Sequence, residues 1–308
     1  MNSNSRYLFF AHDAGSANMI VAYAYFLKNK ANKDIFLYPK GPAVEICNRY
    51  LKQYTHLTEV DFIETDIVLT GLSWIITPYE IEIIQKAKGR VKKIITILDC
   101  EYNFEERFIK DGKLISYLPD KIFAPKNIVC ENSILKEKIV YVDNIYKKFI
   151  KKYVLDSLIN ENSEYILILT EYVKEQYGYE FGYTEYEFLD SLLSVLDRLK
   201  VNMPLYIKMP PAEYKNLKKY NYIIDKYKNL NIIIKNSEDV YELIVNAKVI
   251  FGIHTSLFQI TNVLNKKAYS VQINKIKDFE FIPKTIPIID NIDKLEKIIK
   301  GFIDESDG

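Results

Sequence analysis

Long apolar runs are missing from this chain. No stretch reaches the ~18 apolar residues that a membrane helix needs. The short apolar stretch in the N-terminal MNSNSRYLFFAHDAG is broken by His12 and Asp13, too early for the core of a secretory signal. Cysteine is scarce: Cys47, Cys100 and Cys130 are odd in number and widely spaced. That excludes a disulfide framework and a cysteine metal site, and free thiols suit a reducing cytosol. A cytoplasmic protein is therefore expected. A charge excess is missing too: 42 Lys and Arg face 41 Asp and Glu, a net charge of +1. A protein built around nucleic-acid phosphates needs a clear basic excess or stripe, so no nucleic-acid partner is expected. No P-loop, HExxH, CxxC, DxD or GxSxG is present. These absences remove the usual signatures of ATP hydrolysis, metal catalysis and α/β-hydrolase chemistry.

What is present is a folded chain. It has 308 residues, 48% of them hydrophobic and 27% charged, which excludes wholesale disorder. The cations are nearly all Lys, and the 25 Tyr are too many to be site residues. They read as background composition. The length suggests two domains at about 150 residues each.

Short β-rich apolar runs alternate with segments of helical spacing. Strands are expected at 7–11, 34–38, 66–70, 93–98, 121–124 and 139–142, with helices near 16–28, 43–53 and 78–88. The polar DSLINENSE at 156–164 is the best linker candidate. The pattern then restarts with strands at 165–169, 205–208, 231–234, 249–252 and 268–271. Helices are expected near 185–199, 239–246, 256–265 and 292–302. Such a βαβ series implies parallel sheets covered by helices. The predicted fold is α/β, with two Rossmann-like domains, 1–158 and 159–308, facing a central cleft. Ligands of such sheets bind beyond the C-terminal strand ends.

Four strand-end segments could carry chemistry. In Ala11–Asn18, Gly15 and its small neighbours allow close approach of a ligand, and Ser16 could cap the next helix. His12 and Asp13 are a candidate general base and its orienting partner. Helix capping by Asp13 or Ser16 is the plainer alternative. In Ile97–Phe108, Asp99 ends a buried-looking strand and could accept a proton from a hydroxyl, with Glu101 close enough to couple to it. A loop salt bridge to Arg107 is the alternative. In Tyr206–Glu213, Lys208 ends a strand before Pro210 and Pro211 and suits a phosphate or carboxylate. Simple punctuation before a helix is the alternative. In Phe251–Ile260, Gly252 leads into His254, Thr255 and Ser256, where exposed amides and two hydroxyls could cradle a phosphate without a metal. An ordinary capped helix is the alternative.

The two Rossmann-like halves, the small-residue loop after the first strand and the late Gly252-Ile253-His254-Thr255-Ser256 segment resemble GT-B glycosyltransferases. The nearest echo is the bacterial sialyltransferase, polysialyltransferase and capsular-sugar transferase group. Leu98-Asp99-Cys100-Glu101 falls where that group has an Asp-Gly motif, with Cys100 in place of Gly. Lys208-Met209-Pro210 falls at its His-Pro motif, with Met209 in place of His. Thr255-Ser256 matches its hydroxyl pair.

The resemblance implies metal-independent, inverting transfer from a CMP- or UDP-type sugar donor to a glycan or surface-polysaccharide acceptor. Asp99 or Asp13 would be the base. Gly15, Ser16, Lys208, Pro210, Glu213, His254, Thr255 and Ser256 would line the substrate and nucleotide sites. No cofactor beyond the donor substrate is implied. Peripheral membrane association stays open, although no strong basic amphipathic face is evident. A sugar-nucleotide 2-epimerase or hydrolase, a CDP-alcohol phosphotransferase and a non-catalytic nucleotide-sugar-binding module share the architecture and stand as alternatives.

Overall fold

The computed structural model describes residues 5–31, 33–72, 78–99, 103–110, 112–126, 128–160, 164–210, 213, 216–236, 239–279 and 282–304. It divides into two compact units, Met1–Phe149 and Ile150–Gly308.

The first unit runs β1 (Tyr7–Ala11), α1 (Ala14–Ala31), β2 (Ile35–Pro39), α2 (Ala43–Tyr50), β3 (Thr55–His56), β4 (Ile67–Thr70), α3 (Tyr79–Ala87) and β5 (Lys93–Ile97). A small hairpin follows, β6 (Ile109–Lys110) and β7 (Lys113–Leu114), then β8 (Lys121–Ala124), α4 (Ser133–Lys136), β9 (Ile139–Tyr141) and α5 (Ile145–Ser157). The sheet order is β3-β2-β1-β4-β5-β8-β9, and every described pairing in it is parallel. The chain leaves β1 towards β2 and later returns on the other side as β4. The switch point therefore lies between β1 and β4.

The second unit repeats the plan. It runs β10 (Ile166–Leu169), α6 (Val173–Tyr177), α7 (Glu185–Arg198), β11 (Leu205–Lys208), α8 (Asn221–Ile224), β12 (Ile232–Lys235), α9 (Val240–Asn246) and β13 (Val249–Gly252). It ends with α10 (Phe258–Val263), β14 (Ala268–Val271), β15 (Ile288–Ile289) and α11 (Ile292–Asp304). Its order, β12-β11-β10-β13-β14-β15, is parallel throughout, with the switch point between β10 and β13.

The sequence explains these layers. Strands covered on both faces read as unbroken apolar runs, and ILIL of β10 and VIFG of β13 are buried at every position. Helix α7 turns Phe188, Leu189, Leu192, Leu193 and Leu196 inward, the spacing of one helical face. The α11 residues Leu295, Ile299 and Phe302 join the same core. Each such side chain, fully buried, contributes roughly 1.5–3 kcal/mol.

Two boundaries differ from those the sequence predicts. Helix α5 runs into the segment expected as linker, and the contact division falls inside it, between Phe149 and Ile150. Helix α10 is shorter than the expected 256–265 and has Leu257 at its cap position. Among the described residues, no helix is long and apolar enough to cross a membrane.

Candidate functional site

The first-unit group lies at the C-terminal ends of β1, β4 and β5. His12 follows β1 directly, and its backbone N–H donates to Oε1 of buried Glu80 at 2.9 Å. Its Nδ1 lies 2.8 Å from Asp13 Oδ1, with both side chains about a quarter exposed (27% each). A protonated Nδ1 donating to Asp13 leaves Nε2 as the acceptor, the tautomer a general base needs. The imidazole occupies the space that a side chain at Gly41 would fill, since a Cβ there would stand 2.5 Å from Nε2. Gly41 has φ +52°, a left-handed conformation that favours glycine.

Ser16 does not cap α1. The helix begins at Ala14, and Ser16, two residues inside it, donates its Oγ to the Asp13 carbonyl at 3.0 Å. Ser16 packs against Gly71, where a Cβ would lie 2.1 Å from Ser16 Cβ. Asp99 follows β5 by two residues. Its Oδ1 accepts from the buried Arg107 guanidinium at 2.7 Å. Arg107 also donates to the Leu72 carbonyl at 2.9 Å. The other carboxylate oxygen, Oδ2, stands over Gly15, where a Cβ would come within 2.1 Å of it. Gly15 thus lets the Asp99 carboxylate approach the first turn of α1. The salt bridge anticipated as the plainer alternative exists, and it fixes Asp99 at the switch point. Glu101 lies outside the described residues.

The second-unit group lies at the ends of β10, β11 and β13. Thr170 ends β10's run, and its Oγ1 donates to the Lys208 carbonyl at 3.3 Å. Glu171 follows, bonded to the Thr255 hydroxyl. Burial pushes the Glu171 carboxyl above the usual carboxylate range, the bond from Thr255 opposes this, and the charge of Glu213 adds to it. Lys208 is buried and donates its ammonium to the Asn236 carbonyl at 2.8 Å. Pro210 is half-buried after β11.

Glu213 is engaged in a buried network. It accepts from the Lys219 ammonium and from the Tyr220 hydroxyl, the latter at 3.0 Å. Lys219 also pairs with Glu185 at 2.6 Å and Glu175 at 3.2 Å. Among the described residues, Glu175, Glu185 and Glu213 are the one carboxylate trio close enough to share a metal ion, with oxygens within 4.8 Å. The Lys219 ammonium supplies the positive charge in that trio.

His254 sits in an aromatic nest. Its ring stacks on Phe279 at 4.0 Å and meets Phe181 and Tyr177 edge-on at 5.6 and 5.8 Å. Burial pulls its pKa down to about 4. The ring is therefore neutral near pH 7 and cannot offset phosphate charge as a cation. The Tyr183 hydroxyl lies 3.4 Å from Nδ1, and burial raises its own pKa. In the tautomer in which Tyr183 donates to Nδ1, Nε2–H is the remaining donor. Thr255 is buried and accepts from Leu257 N–H at 3.2 Å, whereas Ser256 is exposed. Neither hydroxyl caps α10, because the turn at Thr255–Leu257 closes before the six-residue helix starts. The expected cradle at a long helix start is replaced by this turn.

Sequence reasoning missed Glu80, Glu171, Gly41, Gly71 and Lys219. Glu171 had a local signal, since it follows a buried strand as Asp13 does.

No protein-family model matches this chain, and no curated protein does. Among solved structures, it resembles the UDP-GlcNAc 2-epimerase of Neisseria meningitidis bound to UDP-GlcNAc, with TM-score 0.62, 12% identity, and coverage of 98% of this chain and 92% of that one. It resembles the UDP-GlcNAc 2-epimerase of Methanocaldococcus jannaschii with TM-score 0.60, 14% identity, and coverage of 96% and 92%. It also resembles S. aureus MnaA solved with UDP, with TM-score 0.56, 13% identity, and coverage of 97% and 88%. At these identities the likeness shows the fold, a GT-B-like pair of parallel α/β units. It does not support narrowing the resemblance to the sialyltransferase group.

Proposed function

We propose that this chain is a nucleotide-sugar-processing enzyme in which the first unit moves a proton and the second holds the nucleotide. The observation that carries the reading is the first-unit switch point. There a His12–Asp13 pair at 2.8 Å and an Asp99–Arg107 pair at 2.7 Å flank the glycine-lined start of α1. His12 takes the proton through Nε2, with Asp13 holding the tautomer. Asp99, held by Arg107, is the competing base. The fold of structures solved with UDP or UDP-GlcNAc supports the nucleotide half.

The reaction we propose is transfer of the sugar from a CMP- or UDP-type donor to an acceptor hydroxyl, with inversion and without a metal. The acceptor proton goes to the first-unit base, the acceptor oxygen attacks the anomeric carbon, and the bond to the leaving phosphate breaks with its electron pair. On the second unit, Ser256 Oγ–H and the His254 Nε2–H would meet the leaving phosphate by hydrogen bonding. Lys208, turned to Asn236, is the less favoured partner.

A second reading is epimerisation or hydrolysis of the nucleotide sugar, favoured by the 2-epimerases among the similar structures. Incubation with UDP-GlcNAc or a CMP-sugar, with and without a glycan acceptor and in the presence of chelator, separates the two. Product only with acceptor supports transfer. Product without acceptor supports epimerisation or hydrolysis. Loss of all turnover in chelator contradicts the metal-independent step.

A further inference from the structure

A cavity of about 380 Å³ opens on the first unit between α3 and the segment after β3. Its size suits one or two sugar rings. Its aromatic floor is the half-buried ring of Phe62, with Phe10, Tyr38 and Tyr79 buried behind it. Phe10 and Tyr38 stack at 4.7 Å with an 11° interplanar angle, and the Tyr79 hydroxyl is fixed by donation to the Tyr38 carbonyl at 2.8 Å.

Lys40, Lys86 and Arg90 also line this space, against a single acid, Glu59. None of the three cations makes an ion pair with a described residue. Lys40 instead stands 4.6 Å from the centre of the Tyr79 ring. Exposed positive charge beside the Phe62 ring suits a ring that carries an oxyanion. A neutral ring would leave that charge unused.

The cavity also adjoins the candidate base. Lys40 precedes Gly41, which the His12 ring abuts, and the His12 and Tyr79 rings are 6.5 Å apart. Glu80, next to Tyr79, holds the His12 N–H. We infer that this cavity is an acceptor subsite for a sugar bearing a carboxylate or phosphate, with the oxyanion on Lys40, Lys86 and Arg90 and the ring against Phe62. The word acceptor rests on the function proposed above, whereas oxyanion binding does not.

Calorimetry tests this with phenyl β-glucuronide, phenyl phosphate and the neutral phenyl β-glucoside. The cations are exposed, so a triple variant, K40Q with K86Q and R90Q, should melt like the wild type. The expected result is that at least one anionic probe binds tenfold or more tighter than the glucoside. The triple variant should lose at least tenfold of that affinity. Tighter binding of the glucuronide assigns a carboxylate sugar, and tighter binding of phenyl phosphate assigns a phosphate-bearing one. Equal binding of the neutral probe, wild-type affinity in the folded triple variant, or no binding of either anion overturns the inference. These readouts need no turnover. If nucleotides fail to bind while the anionic probe succeeds, the enzyme reading falls and the oxyanion site stands.

Discussion

Three glycines hold the candidate proton-transfer group by having no side chain. Gly15 admits Asp99, Gly41 admits His12 and Gly71 admits Ser16. Gly15→Ala places a methyl 2.1 Å from Asp99 Oδ2, so the carboxylate must move. The variant should fold, bind nucleotide and lose at least tenfold in turnover, read by product formation beside nucleotide calorimetry. Wild-type turnover would show that Asp99's position does not matter. Asp13→Asn and Asp99→Asn should differ sharply, with one abolishing turnover while nucleotide still binds. Full activity in both would remove the two carboxylates from the mechanism. His254 makes a pH prediction. Its folded pKa of about 4 lies below the ordinary 6.5, so the unfolded chain binds the proton first. Stability is full above pH 6.5 and falls as pH drops towards 4, by roughly 3 kcal/mol in all. His254→Phe, which keeps a ring against Phe279, should flatten that window in denaturant titrations. An unchanged pH slope would contradict the buried, neutral imidazole. Glu171 behaves oppositely. Its raised pKa makes the charged form costly, so stability falls as pH rises above the ordinary carboxylate value. Glu171→Gln should raise Tm at pH 7 and have little effect in acid.

Among elements, the strands were legible and their cross-connections were not. Parallel strands covered on both faces write continuous apolar runs, which is why β1 and β13 fall at their expected residues, and short β-rich runs between helical segments place β8, β11 and β14 at theirs. The run Ile145–Ser157 lacks such contrast beside the polar segment that follows it, so the end of α5 overlaps the segment expected as linker. Thr255 and Ser256 looked like caps because hydroxyls before an apolar run usually are. Here Thr255 is turned to Leu257 and Glu171. Arg6 and Asp66 show what spacing cannot reveal. They lie 60 residues apart, yet the Arg6 guanidinium meets both oxygens of the fully buried Asp66 at 2.7 and 2.8 Å and ties the start of β1 to that of β4. Arg6→Ala leaves the buried carboxylate with the Ile63 N–H as its remaining bond and should cost about 1–3 kcal/mol, measured by urea unfolding. A loss within experimental error would mean Asp66 finds another partner.

At the scale of the whole molecule, both sheets are parallel and share one plan, each with a switch point flanked by its first strand. Titratable side chains gather there in both units: His12, Asp13 and Asp99 in the first, Glu171 and His254 in the second. The sequence placed four of these five at strand ends, because strand ends are where α/β sheets build sites. Of their partners, Glu80 and Tyr183 come from distant parts of the chain, and only Arg107, near Asp99 in sequence, could be anticipated. The most direct check on the nucleotide-sugar reading is thermal denaturation of the intact chain with CMP, CDP, UDP, GDP, NAD and ATP in parallel. At about 100-fold saturation a true ligand adds roughly 2.7 kcal/mol. One pyrimidine nucleotide should therefore raise Tm by several degrees while NAD and ATP do not, and a chain that melts at the same temperature in all six would contradict the account.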